Sequence, residues 1–342
     1  MGKFYLSKNY RNITSAGNKA KTDVEKILSD SGYKNAGLAQ TVFSNNIIGF
    51  FVTLVGVFTV FFKISADDTV IIQYPFKKYY SFVCNIIHWK KGKIITIIHD
   101  LGAFRRKKLT IEKEIKRLNH ADVLVVHNRQ MKTWLQRQGY IKPMVCMEIW
   151  DYLSSSVNDK PHPFDEQAIT VMYAGTLSYR KNKFLYALDE VVSKWRLKLY
   201  GGGFEIDKIK NKAHFNYYGF VKSPQLIENA CANFGLVWDG NAISSCSDDF
   251  GAYLKINNPH KASLYIRCHC PLIVWEEAAL ASFVTENKIG LCIRSLEELD
   301  TVLSAVSLKS YQEMVENVKK IDQKISDGYY LTKALAEATE KK

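Results

Sequence analysis

The chain of 342 residues is long enough for two domains, and its 47% hydrophobic, 13% aromatic and 24% charged residues exclude a disordered tail or a low-complexity polymer. Its 7 prolines are too few for a collagen-like rod. Lys and Arg number 47 against 34 Asp and Glu, and the net charge of +13 points to an anionic partner: nucleic acid, a phosphorylated small molecule or an anionic membrane face.

The first thirty residues mix Lys, Asn, Asp and Ser without the apolar core of a secretory signal, so the chain is expected to stay in the cytoplasm. They hold a short strand, Lys3–Leu6, and a helix over Gly17–Ser31. Ile47 to Phe62, IIGFFVTLVGVFTVFF, follows as sixteen residues without a charge. As a helix it reaches only ~24 Å at ~1.5 Å per residue, short of the ~20 residues that a span needs. Three readings stand: a helix buried in the first domain or at the interface of a homo-oligomer, peripheral insertion into a membrane surface helped by Lys63, Lys77 and Lys78, or a true span. The expectation is the first.

Short β-branched runs then alternate with helical spacing. Strands are predicted at Thr69–Gln73, Lys93–His99, Asp122–His127 and Met144–Ile149, and helices at Lys77–Lys90, Thr110–Asn119 and Arg129–Gln138. Thr110 is an N-cap followed three residues later by Lys113, so the full capping box is missing. This alternation is the signature of a parallel sheet wrapped by helices, and it makes residues 1–150 a doubly wound, Rossmann-like first domain.

Periodicity fails across residues 151–165, where SSSVNDKPHPFD reads as a linker. A second alternation fills 166–310, with strands at Ile169–Ala174, Leu197–Tyr200, Asn216–Phe220, Gly235–Trp238, Leu272–Val274 and Gly290–Ile293. Its helices are expected to start near Lys181, Pro224, Pro259, Glu277 and Leu296. The tail, 311–342, is amphipathic and lysine-rich and is expected to form helices that pack back on the first domain. The fold class is therefore α/β, two doubly wound domains facing a cleft.

The chemistry-bearing motifs are local. No Walker pattern is present, and Gly201-Gly202-Gly203 does not complete G-x-G-x-x-G, so it reads as a strand-to-helix loop. The seven cysteines form no C-x-x-C pair and read as buried thiols; Cys268-His269-Cys270 lacks a second pair and is a weak metal candidate. Lys255-Ile256-Asn257-Asn258-Pro259-His260-Lys261 specifies a helix start with Asn258 placed to cap it. Its amides and Lys261 would suit a diphosphate, the alternative being an ordinary capped helix. In Tyr173-Ala174-Gly175-Thr176-Leu177-Ser178-Tyr179-Arg180, small residues let a ligand approach and Arg180 offers paired hydrogen bonds, the alternative being a solvated basic turn.

These stretches, with Tyr217-Tyr218-Gly219-Phe220 and Trp238-Asp239-Gly240, resemble the GT-B-type galactofuranosyltransferases of polysaccharide assembly and the related third glucosyltransferase of bacterial adhesin glycosylation. The resemblance runs from Ala16-Gly17-x-Lys19-Ala20 through Ile98-His99-Asp100 to Asn257-Asn258-Pro259-His260-Lys261-x-Ser263-Leu264-Tyr265 and Trp275-x-x-Ala278-Ala279-Leu280, nearly the whole chain. It implies a glycosyltransferase that takes a hexosyl group, galactofuranose or glucose, from a UDP-sugar to a glycan acceptor that is free or lipid-linked. On that pattern Arg180 and Lys261 hold the diphosphate, Tyr218 lies against uracil or ribose, Asn257 and Asn258 fix the nucleotide, and Ala16 and Gly17 face the donor from the first domain. Some relatives carry a hydroxyl side chain at the position of Ala16.

No D-x-D occurs, although Asp67-Asp68 and Asp248-Asp249 are adjacent pairs, so no metal and no other cofactor is expected. Arginine, lysine and a helix start would instead stabilise the leaving diphosphate. Asp100, with His99 as alternative, ends a strand where active sites of open sheets lie and is the candidate base; the structural alternative is a turn cap. Glu276 and Glu277 are either sugar contacts or an exposed helix start. The E-x7-E pattern of many retaining enzymes of this type is not clear around Lys261–Glu277, which tilts the expectation towards inversion. A non-catalytic nucleotide-sugar-binding partner subunit is the competing function. A nucleic-acid binder is not expected, since no zinc spacing, RNP-like motif or helix-turn-helix accompanies the charge.

Overall fold

The structure is a computed structural model and describes residues 2–10, 16–76, 79–105, 109–160, 162–248 and 251–341. The chain divides into two compact units, Met1–Asp151 with Gly328–Lys342, and Tyr152–Asp327.

The first unit runs β1 (Lys3–Tyr5), α1 (Ala16–Asp30), β2 (Lys34–Asn35), α2 (Asn46–Lys63), β3 (Thr69–Tyr74), α3 (Tyr80–Trp89), β4 (Lys93–Ile98), α4 (Gly102–Arg105), α5 (Ile111–Leu118), β5 (Val123–Val126), α6 (Arg129–Arg137) and β6 (Met144–Cys146). Its sheet has the order β2-β1-β3-β4-β5-β6, all parallel, so the chain reverses its direction of winding between β1 and β3. TVIIQY of β3 is buried along its whole length because helices cover both faces of a parallel sheet. Thr110 caps α5 as expected, its hydroxyl accepting from Lys113 N at 3.3 Å.

Helix α2 is not buried within the first unit, the first of the two placements expected for it. Only Gly56, Val57 and Val60 are buried, while Ile47, Phe51, Val55, Phe58 and Phe62 form an exposed stripe at steps of three and four residues. The reason lies on the opposite edge, where small residues let the backbone close in: a Cβ on Gly56 would stand 3.3 Å from Leu38 N, and Thr59 Oγ1 donates to Ala36 O at 2.9 Å. One edge docks, and the bulky residues face away. The expected support from Lys63 changes as well, since its ammonium turns back onto the Gly37 carbonyl at 3.1 Å; Lys77 and Lys78 lie outside the described residues.

The second unit runs β7 (Thr170–Ala174), α7 (Phe184–Ala187), β8 (Arg196–Tyr200), β9 (Phe215–Tyr217), α8 (Ser223–Asn229), β10 (Phe234–Val237), α9 (His260–Arg267), β11 (Leu272–Trp275), α10 (Ala281–Asn287), β12 (Gly290–Ile293), α11 (Leu299–Ser304) and α12 (Leu308–Ser326). Its sheet has the order β12-β11-β10-β7-β8-β9, again parallel, with the reversal between β7 and β10. The tail divides. Helix α12 packs on α9 of this unit, whereas α13 (Tyr329–Glu340) packs on β5, β6 and α1 of the first.

Apart from Asp151, which ends the first unit, the stretch expected as a linker is part of the second unit. Asn158 is buried and donates to the carbonyls of Ile227 and Ala230, and Ser156 Oγ donates to Glu228, so its polar side chains satisfy the C-terminal end of α8. Buried Arg267 donates to Asp322 at 2.7 Å and to the carbonyls of Ser154 and Ser156 at 3.1 and 2.8 Å. Asp151 accepts from Tyr330 N and Leu331 N and so caps α13; burial pushes its carboxyl up to about 7, and the charge of Asp23 adds to that. Most thiols are covered, but Cys292 is exposed, contrary to expectation.

Candidate active site

Open parallel sheets gather ligands at the carboxyl ends of the strands where the winding reverses. In the second unit that point lies between β7 and β10, and the side chain that reaches it is Lys261, from the first turn of α9. Its Nζ donates to Tyr173 Oη at 2.9 Å, to Asp239 Oδ1 at 3.0 Å and to the Trp238 carbonyl at 3.3 Å, and stands 4.4 Å from the Tyr173 ring centroid. Tyr173 ends in a phenol that burial, with the Asp239 charge, holds protonated, and that hydroxyl donates to Asp239 at 3.3 Å. Asp239 follows β10, and its loop is fixed by Asp248, which accepts from Asn241 N and, at 2.9 Å, from Gly251 N. The carboxylate of Asp248 is thus engaged with the backbone, and Asp249 lies outside the described residues.

Beside Lys261, the loops leaving β7 and β8 interlock through glycine. Gly201 has φ +148°, and a Cβ there would lie 1.7 Å from the Gly175 carbonyl oxygen, so only glycine fits. A Cβ on Gly175 or Gly202 would meet nothing within 4 Å, which leaves backbone facing open space beside the lysine. Arg180 projects from the turn after β7, exposed and without an ion pair among the described residues. The turn itself is braced by Asn182, whose side chain donates to Thr176 O. Tyr218, after β9, stacks on Tyr200 with centroids 4.9 Å apart and stays half exposed. Asn257 Oδ1 is buried with no hydrogen-bond partner among the described residues, an acceptor that waits for a donor.

Two expectations change here. The N-cap position of α9 falls on Pro259 rather than on Asn258, and Asn258 is buried one residue before it. Glu276 and Glu277 do not start a helix, since α10 begins at Ala281; Glu276 faces Arg294 at 3.4 Å and Glu277 faces Lys255 at 2.6 Å. The loop after β8 leads to two 3-10 turns, Ile206–Lys208 and Lys212–His214, rather than to an α-helix. Cys268 and Cys270 donate to backbone carbonyls and His269 pairs with Asp322, so this stretch is packing. Among the described residues no group of three His, Cys, Asp or Glu is arranged to hold a metal ion.

In the first unit, Asp100 follows the carboxyl end of β4. Its neighbour His99 stacks on Trp150 at 4.7 Å and 11°, with Nε2 2.7 Å from Gln73 Oε1. Behind them His127 is buried and donates from Nε2 to the Ile98 carbonyl; burial pulls its pKa down to about 4 against the opposing Asp100 charge, so it is neutral near pH 7. The turn after Asp100 is held by Glu114, which accepts from Gly102 N and Ala103 N at 2.7 Å each and from Tyr74 Oη at 2.9 Å. Ala16 and Gly17 open α1. Nearby, Glu25 is buried with Ser7 and Tyr10 donating to it, and burial raises its carboxyl to about 7.

Lys261 reaches Tyr173 at the end of β7, so two stretches that sequence reasoning singles out meet here, but that reasoning assigns no role to Asp239, Tyr173, His127 or Glu25. For Asp239 a signal existed in Trp238-Asp239-Gly240, a strand end followed by a glycine turn.

Known proteins resemble this chain in sequence and fold. Residues 3–149 match the glucosyltransferase 3-like N-terminal domain, and residues 171–338 match the glucosyltransferase 3-like C-terminal domain. The chain is 32% identical over 325 residues to the β-1,6-galactofuranosyltransferase WbbI of Escherichia coli strain K12, covering 94% of each chain. It is 26% identical over 258 residues to glucosyltransferase 3 of Streptococcus gordonii, 72% of this chain and 71% of that one. Among solved structures it resembles Anabaena Alr3699/HepE in complex with UDP and glucose, with TM-score 0.59, 15% identity and coverage of 98% and 99%. The apo lipopolysaccharide outer core galactosyltransferase WaaB gives the same TM-score of 0.59 at 14% identity, covering 99% of each chain. Two parallel Rossmann-like sheets of GT-B type and a match over both halves make the chain a glycosyltransferase of the glucosyltransferase 3-like family.

Proposed function

We propose that this enzyme transfers a hexosyl group, galactofuranose or glucose, from a UDP-sugar to a glycan acceptor in the cytoplasm, with inversion and without a metal ion. The observation that carries the reading is Lys261, held at the reversal point of the second sheet by Asp239 and Tyr173. A cation fixed before the ligand arrives stabilises a departing diphosphate without reorganising. Arg180 adds a guanidinium from the turn after β7, and the open backbone at Gly175 and Gly202 lets phosphate oxygens approach amides. The exposed face of Tyr218 offers a surface for the uracil or ribose, and Asn257 Oδ1 an acceptor for the nucleotide's donors. Asn258, buried beside it, shapes the wall.

On the acceptor side Asp100 takes the hydroxyl proton. It ranks ahead of His99, whose ring is stacked on Trp150 and whose Nε2 already meets Gln73, so His99 positions rather than reacts. The test is turnover. UDP-galactofuranose and UDP-glucose are offered with a panel of glycan acceptors, with and without EDTA, and the anomeric configuration of the product is read by NMR. A β product from an α donor, insensitive to EDTA, is the expected result; a retained configuration or loss of activity with EDTA overturns the mechanism.

A further inference from the structure

Asp100 lies just beyond β4, which ends at Ile98, and the chain leaving the sheet is gripped on both sides of it. Both grips lead back to β3. Gln73 and Tyr74 are consecutive in that strand, so their side chains leave opposite faces of the sheet. The backbone ties the same place, since Tyr74 O accepts from His99 N at 2.8 Å.

On one face Gln73 holds His99. Gln73 is 4% exposed, where an amide is tolerated only if both its ends are bonded. Its Nε2 donates to the Lys21 carbonyl of α1 at 3.2 Å, and it also hydrogen-bonds the Tyr10 hydroxyl. Tyr10 gives its one proton to Glu25, so towards Gln73 it can only accept. Two acceptors therefore fix the amide nitrogen, and the amide oxygen is the atom that faces His99 Nε2 at 2.7 Å. An oxygen there accepts, so Nε2 carries the hydrogen and Nδ1 is the acceptor nitrogen of the neutral ring. Trp150, stacked at 4.7 Å and 11°, fixes the plane of that ring, and His127 stands edge-on to the same indole at 5.0 Å.

On the other face Tyr74 leads to Glu114. Tyr74 Oη donates to Glu114 Oε1 at 2.9 Å, and the carboxyl oxygens accept from Gly102 N and Ala103 N at 2.7 Å each. Glu114 is 1% exposed and belongs to α5, so the turn after Asp100 is anchored to a helix. The residue before Asp100 and the second and third after it are thus pinned, and a loop position is held as firmly as one on a rigid element.

We propose that Gln73 and Glu114 are positioning residues for sugar transfer: they clasp Asp100 from opposite faces of the first sheet, and Gln73 does so by holding His99 as its Nε2–H tautomer. The proposal rests on the reading of Asp100 as the acceptor-side base and names what aims it. Aim matters because a base displaced from the acceptor hydroxyl loses rate without any change in how the donor binds.

The experiment has a spectroscopic arm and a kinetic arm. Nitrogen-15 histidine spectra at about pH 8, with His99 assigned through H99A, read the tautomer without substrate. The parent should show a protonated Nε2, and Q73M should give a mixture of tautomers. A protonated Nδ1 in the parent, or a spectrum unmoved by Q73M, overturns the proposal. Kinetics use whichever of UDP-galactofuranose and UDP-glucose turns over, with the fastest acceptor of the panel, for Q73M and E114Q alone and each combined with D100N. Alone, each should lower kcat about ten- to a hundredfold while UDP affinity by calorimetry stays within about twofold. In the D100N background each should lower kcat by less than about twofold, because the group being aimed is gone. Equal losses in both backgrounds, or a loss that follows UDP affinity, assign the two residues to the fold alone and overturn the proposal. Y74F removes one donor from Glu114 and leaves its backbone bonds, and it repeats the test should E114Q not fold. D100N that transfers at the parental rate condemns the reading of Asp100 as base, and the proposal with it; the other refuting outcomes sink the clasp while D100N stays impaired.

Discussion

Replacing Lys261 and Arg180 by Ala, one at a time, separates two roles that the sequence gives to both. Lys261 is built into the fold. At 3.0 Å and an effective dielectric of about 20, its attraction to Asp239 is about 5 kcal/mol before desolvation, which takes back most of it. The two side chains are 16% and 26% exposed, so removing the ammonium takes its donor from the Tyr173 hydroxyl and leaves the half-buried carboxylate with the longer 3.3 Å bond from that hydroxyl in place of a cation. A loss of about 1–3 kcal/mol follows, or roughly 3–10 °C for a domain of this size. Arg180 makes no ion pair among the described residues, and its truncation should leave the melting temperature within about a degree. Both variants lose one charge-assisted hydrogen bond to the diphosphate, about 1.5–3 kcal/mol, so UDP affinity should fall about ten- to a hundredfold in each. Calorimetry with UDP below the melting transition, beside scanning calorimetry without it, reads the two effects independently. Unchanged UDP affinity in K261A would refute the placement of the diphosphate at the β7–β10 reversal, whatever happened to stability.

Asp100→Asn should lower sugar transfer by about 10²–10⁴ while UDP affinity holds, and His99→Ala should cost less; transfer by D100N at close to the parental rate would move the base elsewhere. Glu25→Gln tests the buried carboxyl raised to about 7 from an ordinary 4.5. A raised carboxyl favours the protonated fold, so its contribution is intact below about 4.5 and is lost as pH climbs through about 7, on the order of 3 kcal/mol at most. The melting temperature of E25Q minus that of the parent should therefore grow across that window and level off above it, and a flat difference would show that Glu25 ionises normally. Arg267→Met should cost about 3–5 kcal/mol by removing the guanidinium from buried Asp322 and leaving it beside His269, and pairing it with Asp322→Leu should restore much of that; an unaltered melting temperature in the single variant would count against the pair.

How much of this was legible before any coordinates is a question of range. Buried parallel strands announce themselves because both faces must be apolar, so TVIIQY, KIITII and VLVV stand out, while the two-residue β2 is too short to carry a period. The starts expected at Lys181 and Glu277 fall three and four residues before α7 and α10, which begin at Phe184 and Ala281; in each case the intervening residues close as turns, Asn182 N bonding Ser178 O and Ala278 N bonding Trp275 O. Lys261 and Asp239 lie 22 residues apart on different elements, a distance at which no local pattern operates. The edge on which α2 docks was readable, since Gly49, Thr53, Gly56 and Val60 recur at steps of four, three and four. Hydropathy alone sums over both edges and loses that distinction.

The two reversal points, built on the same topology, are furnished for different ligands. At the second, the strands end in Ala174-Gly175 and Gly201-Gly202, side chains small enough to expose backbone, and the cation is clamped by a carboxylate before anything binds. Such a site suits a polar ligand recognised through oxygen atoms and released after each turnover, because a prepaid geometry costs nothing at the moment of reaction. At the first, the corresponding loops carry Lys8, Tyr10 and Phe76, and the apolar stripe of α2 stands alongside. A ligand that is charged at one end and apolar at the other uses both features, and a purely polar one leaves the aromatic wall wet. What each unit places at the carboxyl ends of its strands therefore differs: backbone and a fixed lysine in one, aromatic rings and an exposed apolar helix in the other.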